Sequence, residues 1–118
     1  MSDLRATEQI NKARVDKVKA FVDTHYGEDL RLADLAEMVN VAPTTLCHIF
    51  KDHTGVRLFD YITGVRIAEA KRKLIETNLG IKAISYGCGF STLTNFNRHF
   101  KNLIGHTPTE YREMNRKS

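Results

Sequence analysis

Apolar residues along this chain recur at helical spacing and no stretch alternates convincingly as a strand, so the pattern predicts an all-α fold. A first helix is expected over about Glu8 to Tyr26, with Ile10, Val18, Phe21 and Val22 turned inward and Gly27 as its stop. Leu32, Leu35, Ala36 and Val39 stand at i, i+3, i+4 and i+7 and mark a short second helix. After Asn40-Val41-Ala42, Pro43 suits the first turn of a third helix, which carries Leu46, Ile49 and Phe50 inward and ends near Gly55. A long helix should run from about Leu58 to Thr77, its buried stripe made by Leu58, Ile62, Val65, Ala68 or Ala70, and Leu74. Gly64 lies inside it at some cost in helix propensity. Beyond Asn78-Leu79-Gly80 come a short helix over Ile81 to Tyr86, a turn at Gly87-Cys88-Gly89, and a helix over about Thr92 to Leu103. The last helix opens at Thr107-Pro108-Thr109-Glu110, where a capping box and a proline at the first helical position fix the boundary.

The pattern repeats. Leu46-Cys47-His48-Ile49-Phe50-Lys51 aligns with Phe96-Asn97-Arg98-His99-Phe100-Lys101 at an offset of 50, and Gly55 with Gly105 at the same offset. Leu32 and Leu35 pair with Ile81 and Ile84 at 49, so the second turn holds one more residue. Each copy reads as short helix, tight turn, longer helix, the shape of the DNA-binding helix-turn-helix whose second helix enters the major groove. The competing reading is an ordinary helical hairpin duplicated for packing. Outward polar side chains in both copies favour DNA.

Composition adds limits. At 118 residues the chain is expected to form one domain with a modest core, and its 42% apolar content speaks against disorder. The net charge of +4 is lopsided: residues 1–59 carry −1 and residues 60–118 carry +5, a basic half suited to phosphate or an acidic partner. Cys47 and Cys88 have no C-x-x-C pairing and no histidine at zinc spacing, so free thiols in a reducing cytosol and no metal are expected. No apolar run reaches spanning length, and Met1-Ser2-Asp3-Leu4-Arg5 is no signal peptide, which predicts a cytoplasmic protein. No Gly-rich phosphate loop, paired acid and base, or nucleophile with a base is legible, and His25, His53, His99 and His106 lack partners of that kind. Neither an enzyme nor a cofactor is expected.

The segment Gly89-Phe90-Ser91-Thr92-Leu93-Thr94-Asn95-Phe96-Asn97-Arg98-His99-Phe100-Lys101, followed by Gly105-His106-Thr107-Pro108 and Tyr111-Arg112, closely resembles the signature of AraC-type regulators. Leu35-Ala36, Leu46, Phe50-Lys51, Gly55, Tyr61-Ile62, Arg66, Ala70 and Leu74 match the same domain in order, so the resemblance covers roughly residues 15–113. It implies seven helices in two helix-turn-helix lobes, about 13–55 and about 81–113, joined by a long linker helix at about 58–77. The domain would then be 13–118, with 1–12 as an N-terminal linker or arm. The resemblance further implies promoter DNA as ligand and activation through contact with RNA polymerase. Family members often carry a separate sensor or dimerisation domain, so the chain is expected to be either a fragment of such a regulator or a stand-alone one. His48 departs from a common arginine and Ser85 from a usual alanine, while Ala42, Arg31 and Arg57 stand where Ser or Thr often caps a helix.

Burial of Phe96 and Phe100 would turn Thr94, Asn97 and Arg98 outward. A guanidinium at Arg98 suits bidentate binding to guanine O6 and N7, Asn95 or Asn97 suits adenine, and Leu93 near the helix start suits a thymine methyl. A salt bridge is the competing role for Arg98. In the first lobe the repeat places Thr44, Thr45, Cys47 and His48 at the corresponding sites, a small and weakly polar set expected to discriminate less or to read DNA shape. Arg31, Lys51, Lys82 and Lys101 stand where helix ends meet the phosphate backbone, with plain solvation as the alternative. Phe90 is expected in the core, and Lys71-Arg72-Lys73 on the solvent side of the linker helix. The alternative function is a helical module that binds another regulator or polymerase without reading DNA; steep salt dependence with a sequence preference separates the two.

Overall fold

The structure, a computed structural model, describes residues 2–116, with side chains from Leu4 onward. Met1 of the expected arm, and Lys117 and Ser118 of the expected domain, lie outside the described residues. Among those described there are seven helices and no strand: α1 (Ser2–His25), α2 (Leu32–Met38), α3 (Pro43–Thr54), α4 (Leu58–Glu76), α5 (Ile81–Gly87), α6 (Leu93–Ile104) and α7 (Pro108–Asn115). Helix α1 begins at Ser2 rather than Glu8, because no proline or glycine interrupts the chain before Gly27 and Leu4, Arg5, Ala6, Glu8 and Gln9 all favour helix. Its buried stripe is Val15, Val18 and Val22. Ile10, expected inward, is 51% exposed, since five residues carry it about 140° round the helix from Val15.

The chain divides into two compact units, one of α1 with residues 30–62 and one of residues 26–29 with those from 63 onward. In the first, α1 and α2 pack on α3, and Val15, Val18 and Val22 of α1, Leu35 of α2, and Leu46 and Phe50 of α3 are all buried. The Tyr61 ring stands edge-on to Phe50 at 5.5 Å, and its hydroxyl donates to Asp23 Oδ1 at 2.6 Å. Burial, and then the Asp23 carboxylate, push the Tyr61 phenol up to about 12.

The second unit is built on Ile67, Ala70 and Leu74 of α4, with Ile84, Cys88, Phe90, Phe96 and Phe100 closing the core. Of the two alanines offered for the stripe, Ala70 is the buried one and Ala68 is exposed; Ile67 joins the stripe, and Val65 is half-buried. Tyr111 stands edge-on to Phe100 at 5.6 Å, as Tyr61 does to Phe50, so the repeat at offset 50 extends past the helix-turn-helix into the next helix. It extends upstream too. Val15, Val18 and Val22 correspond to Ile67, Ala70 and Leu74, 52 residues on, and Lys19 and Lys71 each hold an amino group 5.8 Å from the Tyr61 and Tyr111 rings. Each unit is therefore a support helix, a helix-turn-helix pair and the first turns of the following helix. Helix α4 serves both, closing the first core with Leu58 and Ile62 and founding the second with its later turns.

The end of α4 leaves carbonyls without helical partners, and α7 with the Arg116 that follows it supplies them. Arg112 donates to Leu74 O at 3.0 Å and to Thr77 O at 3.3 Å, and Arg116 donates to the carbonyls of Ile75 and Thr77. Among the described residues one buried side-chain polar group is left over. Ser85 is fully buried and its Oγ has no hydrogen-bond partner. Ser85→Ala should therefore raise stability by about 1 kcal/mol, because it removes an unmet polar atom and leaves the packing volume nearly unchanged. Urea unfolding followed by circular dichroism measures this, and a destabilised variant would mean the hydroxyl is satisfied in solution.

Candidate nucleic-acid interface

Both helix-turn-helix turns close in the same way. Val41 N donates to Ala36 O and Phe90 N to Ser85 O, each at 3.1 Å, and the tight residue has positive φ in each: Asn40 at 59° and Gly89 at 99°. The extra residue of the second turn is Ser91, and its effect is to bring Thr92 to the N-cap of α6, where Oγ1 accepts from Asn95 N at 3.1 Å. Helix α3 starts from Ala42 with no side-chain cap and relies on Pro43 at its first position. Each recognition helix ends on a left-handed glycine, Gly55 or Gly105, whose N–H donates 2.8 Å to the carbonyl of Lys51 or Lys101.

With Phe96 and Phe100 buried, α6 turns Thr94, Asn97, Arg98 and Lys101 to solvent at i, i+3, i+4 and i+7. These four make one stripe without an acidic residue on the whole helix. Arg98 Nη2 donates to Asn95 Oδ1 at 3.1 Å, a neutral partner one turn away. Asn95 is half-buried beside the stripe, and Leu93 is half-buried and packs against the second core. On α3 the same positions, 50 residues earlier, are Thr44, Cys47, His48 and Lys51. Thr44, Thr45, His48 and Lys51 are exposed, and Cys47 is half-buried. Arg31 sits exposed at the N-cap of α2, and Lys82 is exposed in the first turn of α5. The two recognition stripes thus differ in charge: Arg98 and Lys101 on α6 against Lys51 on α3.

Phe90 is in the core, as expected, edge-on to Phe96 at 5.2 Å. In the linker-helix run, Arg72 is exposed and paired with Glu69 at 2.8 Å, while Lys71 leans over the Tyr111 ring. Cys88 is fully buried, which pushes its thiol pKa up, and both cysteines are free. Among the described residues no three His, Cys, Asp or Glu side chains could hold a metal ion, and no helix is long and apolar enough to cross a membrane.

Three features escaped the sequence. Arg66 donates from Nε to Tyr26 O and from Nη2 to Glu28 O, both at 2.8 Å, which fastens residues 26–29 to the second unit. Arg112 and Arg116 act on the end of α4, and no local pattern announces a partner nearly forty residues away. Arg57 and Phe59 line a groove with Thr44, Cys47, His48 and Lys51. The spacing of Leu58 and Ile62 does place Phe59 outward, and that signal was available.

A family model described as a helix-turn-helix domain matches residues 35–114. The Msm operon regulatory protein of Streptococcus mutans is 33% identical over 113 residues, 96% of this chain and 41% of its own length. The chain thus spans less than half of that relative. The C-terminal domain of AraT, a response regulator from Geobacillus stearothermophilus, superposes with a TM-score of 0.85 at 29% identity, covering 89% of this chain and 88% of that one. A transcriptional regulator from Chromobacterium violaceum, described among AraC-type DNA-binding domain-containing proteins, gives a TM-score of 0.81 at 25% identity, covering 90% and 95%. With a seven-helix fold, two matching helix-turn-helix turns and these likenesses, the chain belongs to the AraC-type family of helix-turn-helix transcriptional regulators.

Proposed function

We propose that this chain binds an asymmetric promoter site in double-stranded DNA, with α3 and α6 in successive major grooves and α6 as the principal base reader. Thr94, Asn97 and Arg98 meet bases with Asn95 beside them, Thr44, Thr45, Cys47 and His48 make the weaker contacts, and Arg31, Lys51, Lys82 and Lys101 meet phosphates. Leu93 contributes more to packing than to a thymine contact, because it leans on the second core. The observation that carries this reading is Arg98, an exposed guanidinium whose hydrogen-bond partner is the neutral Asn95 amide rather than a carboxylate. A salt bridge would have consumed the charge; an amide partner steers it and leaves it available. The unit acting on DNA is 13–118, in a cytoplasmic regulator that activates through RNA polymerase and draws its signal from a sensor or dimerisation domain outside this chain. Its role is regulatory, not enzymatic.

Selection of bound sequences from a random duplex pool tests this. The wild type should enrich two unlike blocks about one helical turn, or 10–10.5 base pairs, apart. Arg98→Ala should relax one base of one block by about 1–3 kcal/mol and leave the other block intact. Retention that depends only on low salt, with no enriched motif, would sink sequence-specific reading and favour a protein-interaction module.

A further inference from the structure

The groove beside α3 has a composition that its own unit does not explain. Thr44, Cys47, His48 and Lys51 form one wall, and Arg57 and Phe59 stand on the other; the opening is about 360 Å³. Phe59 is 55% exposed and stacks on no other ring among the described residues. Arg57 and Lys51 are exposed, and neither side chain makes a hydrogen bond or ion pair with a described residue. Asp52 also lines the groove, so two cations face one acid. The exposed phenyl ring gains from being covered, and with two cations beside it the groove suits a ligand that alternates apolar and anionic surface.

The second unit carries no such pair. Fifty residues on, Arg57 and Phe59 become Thr107 and Thr109, and Thr107 is occupied in the capping box with Glu110. The groove is therefore a property of the first unit, whose recognition stripe is the poorer in charge and in bidentate groups.

We infer that this groove seats the sugar–phosphate backbone of one DNA strand beside the bases met by α3. Arg57 and Lys51 hold a phosphate, and Phe59 packs against the adjoining deoxyribose. The inference rests on the DNA-reading role proposed above and adds a division of labour to it: α6 supplies base discrimination, and the first unit supplies grip that is indifferent to sequence. Continuity favours DNA over a protein partner. One wall of the groove is the outward stripe of α3 itself, so a duplex lying on α3 covers the opening, and a protein seated there would compete with it.

The test uses the full chain, its selected duplex and a scrambled one. Arg57→Gln should weaken binding to both duplexes by about tenfold and lower the slope of log affinity against log salt by about one charge. Phe59→Ala should weaken both by about fivefold and leave the slope unchanged, since the ring releases no counterion. Methylphosphonate scanning of the duplex should find one position whose neutralisation costs the wild type about tenfold and Arg57→Gln almost nothing. Both side chains are exposed, so unchanged thermal melting is expected and confirms folding. Variants that bind within twofold of a discriminating wild type overturn this inference alone, as does a loss confined to one base change. A wild type that fails to discriminate between the duplexes overturns the functional reading and this inference with it.

Discussion

Phe100→Ala should destabilise the second unit by about 3–5 kcal/mol, the range for emptying a buried phenylalanine site. The ring is fully buried, lies 5.7 Å from Phe96 and 5.6 Å from Tyr111, and shares its cluster with Leu74, Ile84 and Cys88. It ties α6 to α4, α5 and α7, so collapse of the neighbours into the space is resisted from several sides. Leu103→Ala on the same helix is the control: that side chain is 56% exposed, and its loss should change stability by no more than about 0.5 kcal/mol. Urea unfolding gives the two values. Hydrogen exchange locates the effect, since protection should fall over α5, α6 and α7 and persist over α3. Equal losses in the two variants would mean that Phe100 is not what holds the recognition helix in place. The consequence for function follows directly, because Arg98 is two residues away and depends on α6 keeping its orientation.

That dependence also explains what the chain disclosed before its structure was known. The seven helices were legible because each announces itself locally: the stripe at Leu32, Leu35, Ala36 and Val39, the proline at Pro43, the box at Thr107–Glu110. The outward stripe of α6 was legible for the same reason, since two phenylalanines four residues apart fix which side faces water. The larger repeat was not. Its α1 and α4 parts pair Val15, Val18 and Val22 with Ile67, Ala70 and Leu74, which share apolar character and little else, so no sequence identity marks them. The roles of Arg66, Arg112 and Arg116 were hidden because each meets backbone carbonyls 35 or more residues away, and a carbonyl carries no sequence signature. Phe59 was passed over for the opposite reason: an apolar residue in a helical pattern invites assignment to the core, and only the neighbouring Leu58 and Ile62 take that place.

Gly89→Ala should approach the Phe100 loss, at about 2–5 kcal/mol, and it tests how residues 26–29 are held. Gly89 has φ of 99°, and a Cβ there would stand 2.4 Å from Tyr26 O and 2.6 Å from Arg66 Nε. Neither neighbour yields easily. The carbonyl is backbone, and Arg66 Nε donates to it at 2.8 Å, so moving one atom breaks the bond to the other. Gly105→Ala separates strain from crowding: its φ is 86°, but nothing lies within 4 Å of the added Cβ, so it should cost only the left-handed penalty of about 1–2 kcal/mol. The equivalent residue of the first turn is Asn40, which carries a side chain at φ 59°, so positive φ in this turn is tolerable where space allows. The discriminating experiment is the double variant Gly89→Ala with Arg66→Ala. If crowding against Arg66 contributes, the double variant is destabilised by less than the two singles combined, because the second change removes an atom the first collides with. Strict additivity would place the whole cost at the Tyr26 carbonyl and in the backbone strain, and a Gly89→Ala protein as stable as Gly105→Ala would mean that the turn and residues 26–29 are not in contact in solution.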